Sequence, residues 1–147
     1  MPKILIDGDG CPVIEETIAI AGSYGVEVVI VCDTSHFFSY EGIQVIMADK
    51  GRDAADFVLL RYVENNDIII TQDYGLAALA LSKGAIVVSQ NGFAYTKENI
   101  DTLLAQRHHA QTMRKHKNYA HAKKRTAEDD EAFCDLLENI LSKMEKK

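Results

Sequence analysis

Aspartates at the ends of apolar runs are the residues of this chain best placed to do chemistry. Asp7 and Asp9 follow Ile4-Leu5-Ile6, Asp33 follows the run from Val28 to Cys32, and Asp73 follows Ile68-Ile69-Ile70-Thr71-Gln72. Asp53 and Asp56 open a further stretch with Ala54, Ala55, Val58 and Leu59 along one helical face. If the apolar runs are parallel strands, their carboxyl ends lie side by side and bring these carboxylates into one crevice. Like charges gathered there raise one another's pKa unless a cation or a proton offsets them. Hard oxygen ligands of this kind suit Mg²⁺ or Mn²⁺ better than zinc, so the first expectation is a divalent-metal site drawn from Asp7, Asp9, Asp53, Asp56 and Asp73.

The elements that must position these residues alternate. Short runs rich in Ile and Val predict strands over Lys3 to Ile6, Glu27 to Val31, Ile43 to Met47, Asp67 to Thr71 and Ala85 to Val88. Helical patterns lie between them over Pro12 to Gly22, Asp53 to Glu64 and Gly75 to Ser82. A turn at Gly92 to Thr96 leads into a helix from Lys97 to about Arg107, and a last amphipathic helix spans about residues 128–145, with Phe133, Leu136, Leu137, Ile140 and Leu141 at helical spacing. This order predicts a single α/β domain over residues 1–147, three layers deep, with a mostly parallel five-stranded sheet flanked by helices. The apolar stripe of the last helix is expected to pack on that body.

At 147 residues the chain buries enough surface to fold without a metal or disulfide. Its three cysteines, Cys11, Cys32 and Cys134, are odd in number and widely spaced, and no leader-like segment precedes the first strand, so the expectation is a reduced, cytoplasmic protein. No apolar run approaches the ~20 residues of a spanning helix. The net charge of -6 conceals a division. Between Thr102 and Ala127 there is no acidic residue, while Arg107, Arg114, Lys115, Lys117, Lys123, Lys124 and Arg125 supply seven positive charges, leaving nine basic against twenty-two acidic residues elsewhere. The basic segment 107–125 reads either as an electrostatic footprint for a phosphate polymer or as a solvated linker before the last helix.

Asp7-x-Asp9 after an apolar strand also opens the haloacid-dehalogenase phosphatases, whose first Asp is a nucleophile and second a general acid. Here Cys11 stands where those enzymes carry Thr or Val, and Gly51-Arg52-Asp53-Ala54-Ala55-Asp56 falls much closer to the start than their Lys and distal acidic motif. A different set fits better. The opening Asp7, Lys50-Gly51-Arg52-Asp53 and Thr71-Gln72-Asp73 resemble the PIN and NYN superfamily of metal-dependent nucleases. Asp7-Gly8-Asp9-Gly10-Cys11-Pro12, Asp33-Thr34-Ser35-His36, Gly51-Arg52-Asp53-Ala54-Ala55-Asp56, Thr71-Gln72-Asp73-Tyr74-Gly75-Leu76-Ala77 and the Asn91-Gly92 turn look like the YaiI/YqxD family of bacterial PIN-like proteins, a resemblance that covers nearly the whole chain. One element of the broader nuclease pattern departs: a glutamate on the helix after the first Asp has no evident equivalent, and Asp33 or Asp9 is its nearest substitute.

The resemblance implies a PIN-like fold and a metal-dependent nuclease in which Asp7, Asp53 and Asp73 hold one or two divalent ions that orient a phosphodiester and activate water, with Asp9 and Asp56 completing the shell. Asp56 reads equally as a helix-start carboxylate interacting with the dipole. Asp33, Ser35 and His36 lie at the correct edge for substrate contact, although a local Asx or Ser turn explains the first two nearly as well. Lys50 reads as a phosphate contact or an ordinary loop lysine, and Arg107, Arg114, Lys123, Lys124 and Arg125 as contacts to the nucleic-acid backbone, with RNA expected over DNA. Phe37, Phe38 and Tyr40 are candidates for stacking on bases or for loop packing. Two alternatives remain open: a noncatalytic metal- or nucleic-acid-binding module, and a small-molecule phosphohydrolase.

Overall fold

The inner strands are covered on both faces, which is why the runs Ile4 to Ile6, Val28 to Cys32 and Ile68 to Ile70 are continuous in apolar character rather than alternating with polar residues. A computed structural model describes residues 2–33, 40–48, 54–115 and 125–145, and for residue 54 and residues 107–115 the backbone alone. The elements are β1 (Ile4–Asp7), α1 (Ile14–Tyr24), β2 (Val28–Asp33), β3 (Gln44–Ala48), α2 (Ala54–Tyr62), β4 (Ile68–Ile70), α3 (Tyr74–Ser82), β5 (Ile86–Val88), β6 (Ala94–Tyr95), α4 (Lys97–Lys115) and α5 (Ala127–Glu145). The sheet has the order β3-β2-β1-β4-β5-β6, parallel throughout except for the antiparallel β5–β6 pair.

Alternation along the strands divides the core in two. Ile4, Ile6, Val28, Ile30, Ile68, Ile70 and Val88 pack with Ile14, Ile20 and Ala21 of α1 and with Phe133, Leu137 and Leu141 of α5. Leu5, Val29, Val31, Ile69 and Val87 pack on the other face with Leu59 of α2, Leu76, Ala77 and Ala80 of α3 and Ile100 of α4. The apolar stripe of α5 is therefore part of the body. These layers are those expected from the sequence.

Three differences carry physical reasons. The sheet has a sixth strand where only a turn was expected, because the chain reverses at Gly92 and the hairpin closes with Ser89 N–H donating to the Phe93 carbonyl at 2.8 Å. Helix α1 begins and ends two residues later than expected and stops at Gly25, whose left-handed φ of 65° caps it. Helix α4 continues to Lys115, so the first part of the basic segment is helical rather than linker.

Candidate functional site

The order β3-β2-β1-β4-β5 places β1 and β4 on either side of the point where the direction of winding reverses, which in open α/β sheets is where a crevice opens at the carboxyl ends. Asp7 is the last residue of β1, and β4 leads through Thr71 and Gln72 to Asp73. Pairing sets Ile6 opposite Ile70, Ile70 opposite Val88, and Val88 opposite Ala94. The next residue of each strand forms one row: Asp7, Thr71, Ser89 and Phe93. By alternation this row lies on the α2–α3–α4 face, and α2 and α3 both begin at that edge.

A chain of hydrogen bonds joins the two sides of the crevice. The buried Thr71 hydroxyl donates to Asp7 Oδ2 at 2.8 Å and accepts from the Asp73 N–H at 3.0 Å. Asp73 caps α3, its Oδ1 accepting from the Leu76 N–H at 3.1 Å, so its carboxylate is held at the mouth of the helix. Tyr95 donates its phenol to the Thr71 carbonyl at 3.2 Å. Beyond β4 the wall continues through the buried Ser89, whose hydroxyl lies 3.4 Å from Gln72 Oε1 and accepts from the Asn91 N–H at 3.1 Å.

The electrostatics follow from this packing. Burial pushes the Asp7 carboxyl up to about 6, the Thr71 hydrogen bond pulls it back, and the Asp9 and Asp73 carboxylates push it up again. Burial likewise pushes Cys11 up to about 11, a hydrogen bond at Val13 and the Arg125 charge acting against it, and Asp7 and Glu16 with it. At neutral pH Cys11 is a thiol and does not serve as a thiolate nucleophile.

The expected residues distribute as follows. Asp9 and Asp73 lie close enough to Asp7 to act on its charge. Asp9 turns toward β2, its Oδ2 accepting from the Asp33 N–H at 3.1 Å, which brings Asp33 to the same edge. Asp56 lies half-buried in the first turn of α2. Ser35, His36, Phe37, Phe38, Lys50, Asp53, Lys123 and Lys124 lie outside the described residues, as do the side chains of Arg107 and Arg114. Tyr40 packs against the α1–α5 core rather than standing at the crevice. Arg125 is held by Asp130 at 2.7 Å, by Asn91 Oδ1 at 2.6 Å and by the Gln90 carbonyl, so a phosphate reaching it would have to displace one of these partners. Among the described residues, no group of three or more His, Cys, Asp or Glu side chains is disposed to hold a metal ion. No helix of the described residues is long and apolar enough to cross a membrane.

Sequence reasoning gave no separate role to Thr71, although its position in Thr71-Gln72-Asp73 was the available signal. Ser89 carried no such signal, because only the register of β4 and β5 brings it to the row, and Asn91 stood out only as part of the Asn91-Gly92 turn.

Fold and site together define an α/β protein with an acidic crevice at the winding reversal of a parallel sheet. The chain belongs to the YaiI/YqxD family: the family model described as "Uncharacterized BCR, YaiI/YqxD family" matches residues 5–143. It is 49% identical over 145 residues to a UPF0178 protein of Alkaliphilus oremlandii, an alignment covering 95% of this chain and 94% of that one. A UPF0178 protein of Natranaerobius thermophilus is 46% identical over 144 residues, covering 97% of each chain. A crystal structure of Rae1 (YacP) from Bacillus subtilis superposes with a TM-score of 0.45 at 16% identity, covering 98% of this chain and 99% of that one.

Proposed function

We propose that this protein is a divalent-metal-dependent nuclease acting on RNA or on single-stranded or structured nucleic acid. The observation that carries the reading is the convergence of Asp7 and Asp73 on the two sides of the β1–β4 crevice, joined through the Thr71 hydroxyl. The donor set fits a hard cation. Mg²⁺ keeps several waters and needs only one or two carboxylates from the protein, so Asp7 and Asp73 suffice as anchors, with Asp9, Asp53 and Asp56 as the further ligands of the proposed shell. A bound Mg²⁺ or Mn²⁺ supplies charge neutralisation at a phosphodiester and an activated water. The protein's own groups do the positioning. Thr71 fixes the rotamer of Asp7 by donating to Oδ2, and its acceptor bond from the Asp73 N–H locks the β4–α3 turn in the same act. Asp73 is held by its capping bond, and the half-buried setting of Asp7 restricts water on its sheet side. With Cys11 a thiol, the described residues offer no activated side-chain nucleophile near Asp7, and in this reading attack falls to water.

One observation favours a noncatalytic binding module instead: the described residues gather fewer than three ligating side chains at any one point. The phosphohydrolase alternative needs Asp9 as a mobile general acid, whereas its carboxylate receives the Asp33 N–H.

Calorimetry and thermal melting with Mn²⁺ test the site. At a hundredfold its dissociation constant the ion should stabilise the fold by about 2.7 kcal/mol, and Asp73→Asn should remove most of that gain. With Mn²⁺ present, purified protein should cut single-stranded RNA. Cleavage that persists in both Asp7→Asn and Asp73→Asn, or a melting temperature indifferent to saturating metal, overturns the reading.

A further inference from the structure

We infer that Phe93, backed by Tyr95 and continuous with Tyr74, is a base-stacking platform that receives an unpaired nucleobase of a single-stranded nucleic acid threaded along the carboxyl edge of the sheet; this rests on the nuclease reading and names its substrate as a strand with unstacked bases. Three aromatic rings run outward from the acidic pair. Tyr74 directly follows Asp73, and its ring lies 5.8 Å from that of Tyr95 at an interplanar angle of 65°. Phe93 lies 5.1 Å from Tyr95 at 68°. Tyr95 is buried, whereas Phe93 is 36% exposed, so the row ends in a ring open to solvent.

Its location makes the exposure informative. Phe93 stands in the same row as Asp7, Thr71 and Ser89, and three strand spacings separate it from Asp7, about 14 Å across the sheet. That is the reach of a short piece of single strand whose phosphate lies at the carboxylates, with Gln72 and Asn91 between as polar contacts. A small phosphate would leave this wall unused. Every base has a π-face, so an aromatic platform suits a strand read without sequence preference.

The platform is also fixed before any ligand arrives. Gly92 precedes it with a φ of 92°, and a Cβ there would lie 2.5 Å from the Ala132 Cβ and 2.7 Å from the Phe133 nitrogen, so the turn is seated on the backbone of α5. Arg125 ties the same turn to α5 through Asn91, Gln90 and Asp130. Little ordering of the chain is left for the moment of binding, which favours affinity.

The test is the affinity of a fluorescein-labelled oligouridylate, measured by anisotropy with Ca²⁺ in place of Mg²⁺, for the wild type and for Phe93→Leu, Phe93→Trp and Phe93→Ala. Leucine keeps the apolar packing on Tyr95 and removes the π-face. Phe93→Leu and Phe93→Ala should weaken binding about five- to hundredfold, the range of one lost stack, while Phe93→Trp binds like the wild type and a baseless sugar-phosphate strand is indifferent to all three. If Phe93→Leu melts normally and binds oligouridylate as tightly as the wild type, or if it loses the baseless strand equally, or if the wild type binds no strand, the inference is overturned. Cleavage is read separately with Mn²⁺. A platform that behaves as expected in a protein that never cuts overturns the nuclease reading alone, and cutting that is blind to Phe93 overturns the platform alone.

Discussion

The two ends of this one sheet treat an aspartate in opposite ways. At the amino end the buried Asp67 receives Lys3 Nζ at 2.7 Å, the Lys3 N–H at 3.0 Å and the Glu64 N–H at 2.8 Å, tying β1 to the start of β4. At the carboxyl end Asp7 receives one hydroxyl, and the groups that act on its charge include two further carboxylates. The first arrangement neutralises a charge in order to hold strands together. The second gathers three carboxylates at one edge of the sheet, and the proposed metal site rests on that contrast.

The largest test of that contrast is Asp67→Ala. It leaves the Lys3 ammonium without its carboxylate and two N–H groups without an acceptor, and it should cost about 3 to 5 kcal/mol in chemical denaturation, with or without divalent metal. A cost under about 1 kcal/mol would erase the distinction between the two ends.

Asp7→Asn should act in the other direction. The folded chain holds the Asp7 proton with a pKa of about 6 against an ordinary value of 3.8, so the folded state is the tighter proton binder. The stability contributed by that proton is complete below about pH 3.8 and is lost as pH rises through about 6. At pH 7 without metal, Asp7→Asn should therefore be more stable than the wild type, by at most about 3 kcal/mol, and the difference should vanish toward pH 4. Saturating Mn²⁺ should reverse the order by stabilising the wild type alone. Equal stabilities at pH 7 and pH 4 would refute this account of Asp7.

The two ends were also unequally legible in the sequence. Asp7, Asp33 and Asp73 stood out because each follows an apolar run, and a strand end is a position that a linear pattern marks. Lys3 and Asp67 gave no such sign, since sixty-four residues separate them and only the pairing of β1 with β4 brings them together. The layers were legible from the alternation of runs. Strand β6 was not, because Ala94–Tyr95 is too short to show a period and exists by virtue of β5 beside it. The far half of α4 was hidden for another reason: residues 107–115 carry basic and polar side chains without an apolar stripe. Arg125 belonged in sequence to a basic segment and in space to the clamp between α5 and the β5–β6 turn.

That clamp shows that the carboxyl end is not free of structural demands, and Gly92→Ala measures them. An alanine there meets both a left-handed φ and the backbone of α5, so the variant should lose about 2 to 4 kcal/mol in denaturant melts. Mn²⁺ affinity per folded molecule should stay unchanged, because Gly92 lies beyond β5 from the acidic pair. A weakened metal site in folded Gly92→Ala would mean that the turn and the carboxylates form one unit.

The smallest effect separates the clamp from the charges next to it in sequence. Arg125 is partly exposed and Asp130 more so, so their ion pair contributes little, and the bonds to Asn91 and Gln90 raise the expected cost of Arg125→Ala to about 1 kcal/mol. Replacing Lys123 and Lys124 together by alanine should leave the melting temperature where it is. If the basic segment lies along a single-stranded nucleic acid, the same double replacement should flatten the log-log salt dependence of binding by roughly 1.4, the share of two phosphate contacts. A salt slope unmoved by Lys123→Ala/Lys124→Ala, beside a stability lowered by Arg125→Ala, would assign 107–125 to holding α5 in place and confine the electrostatics of substrate binding to the crevice itself.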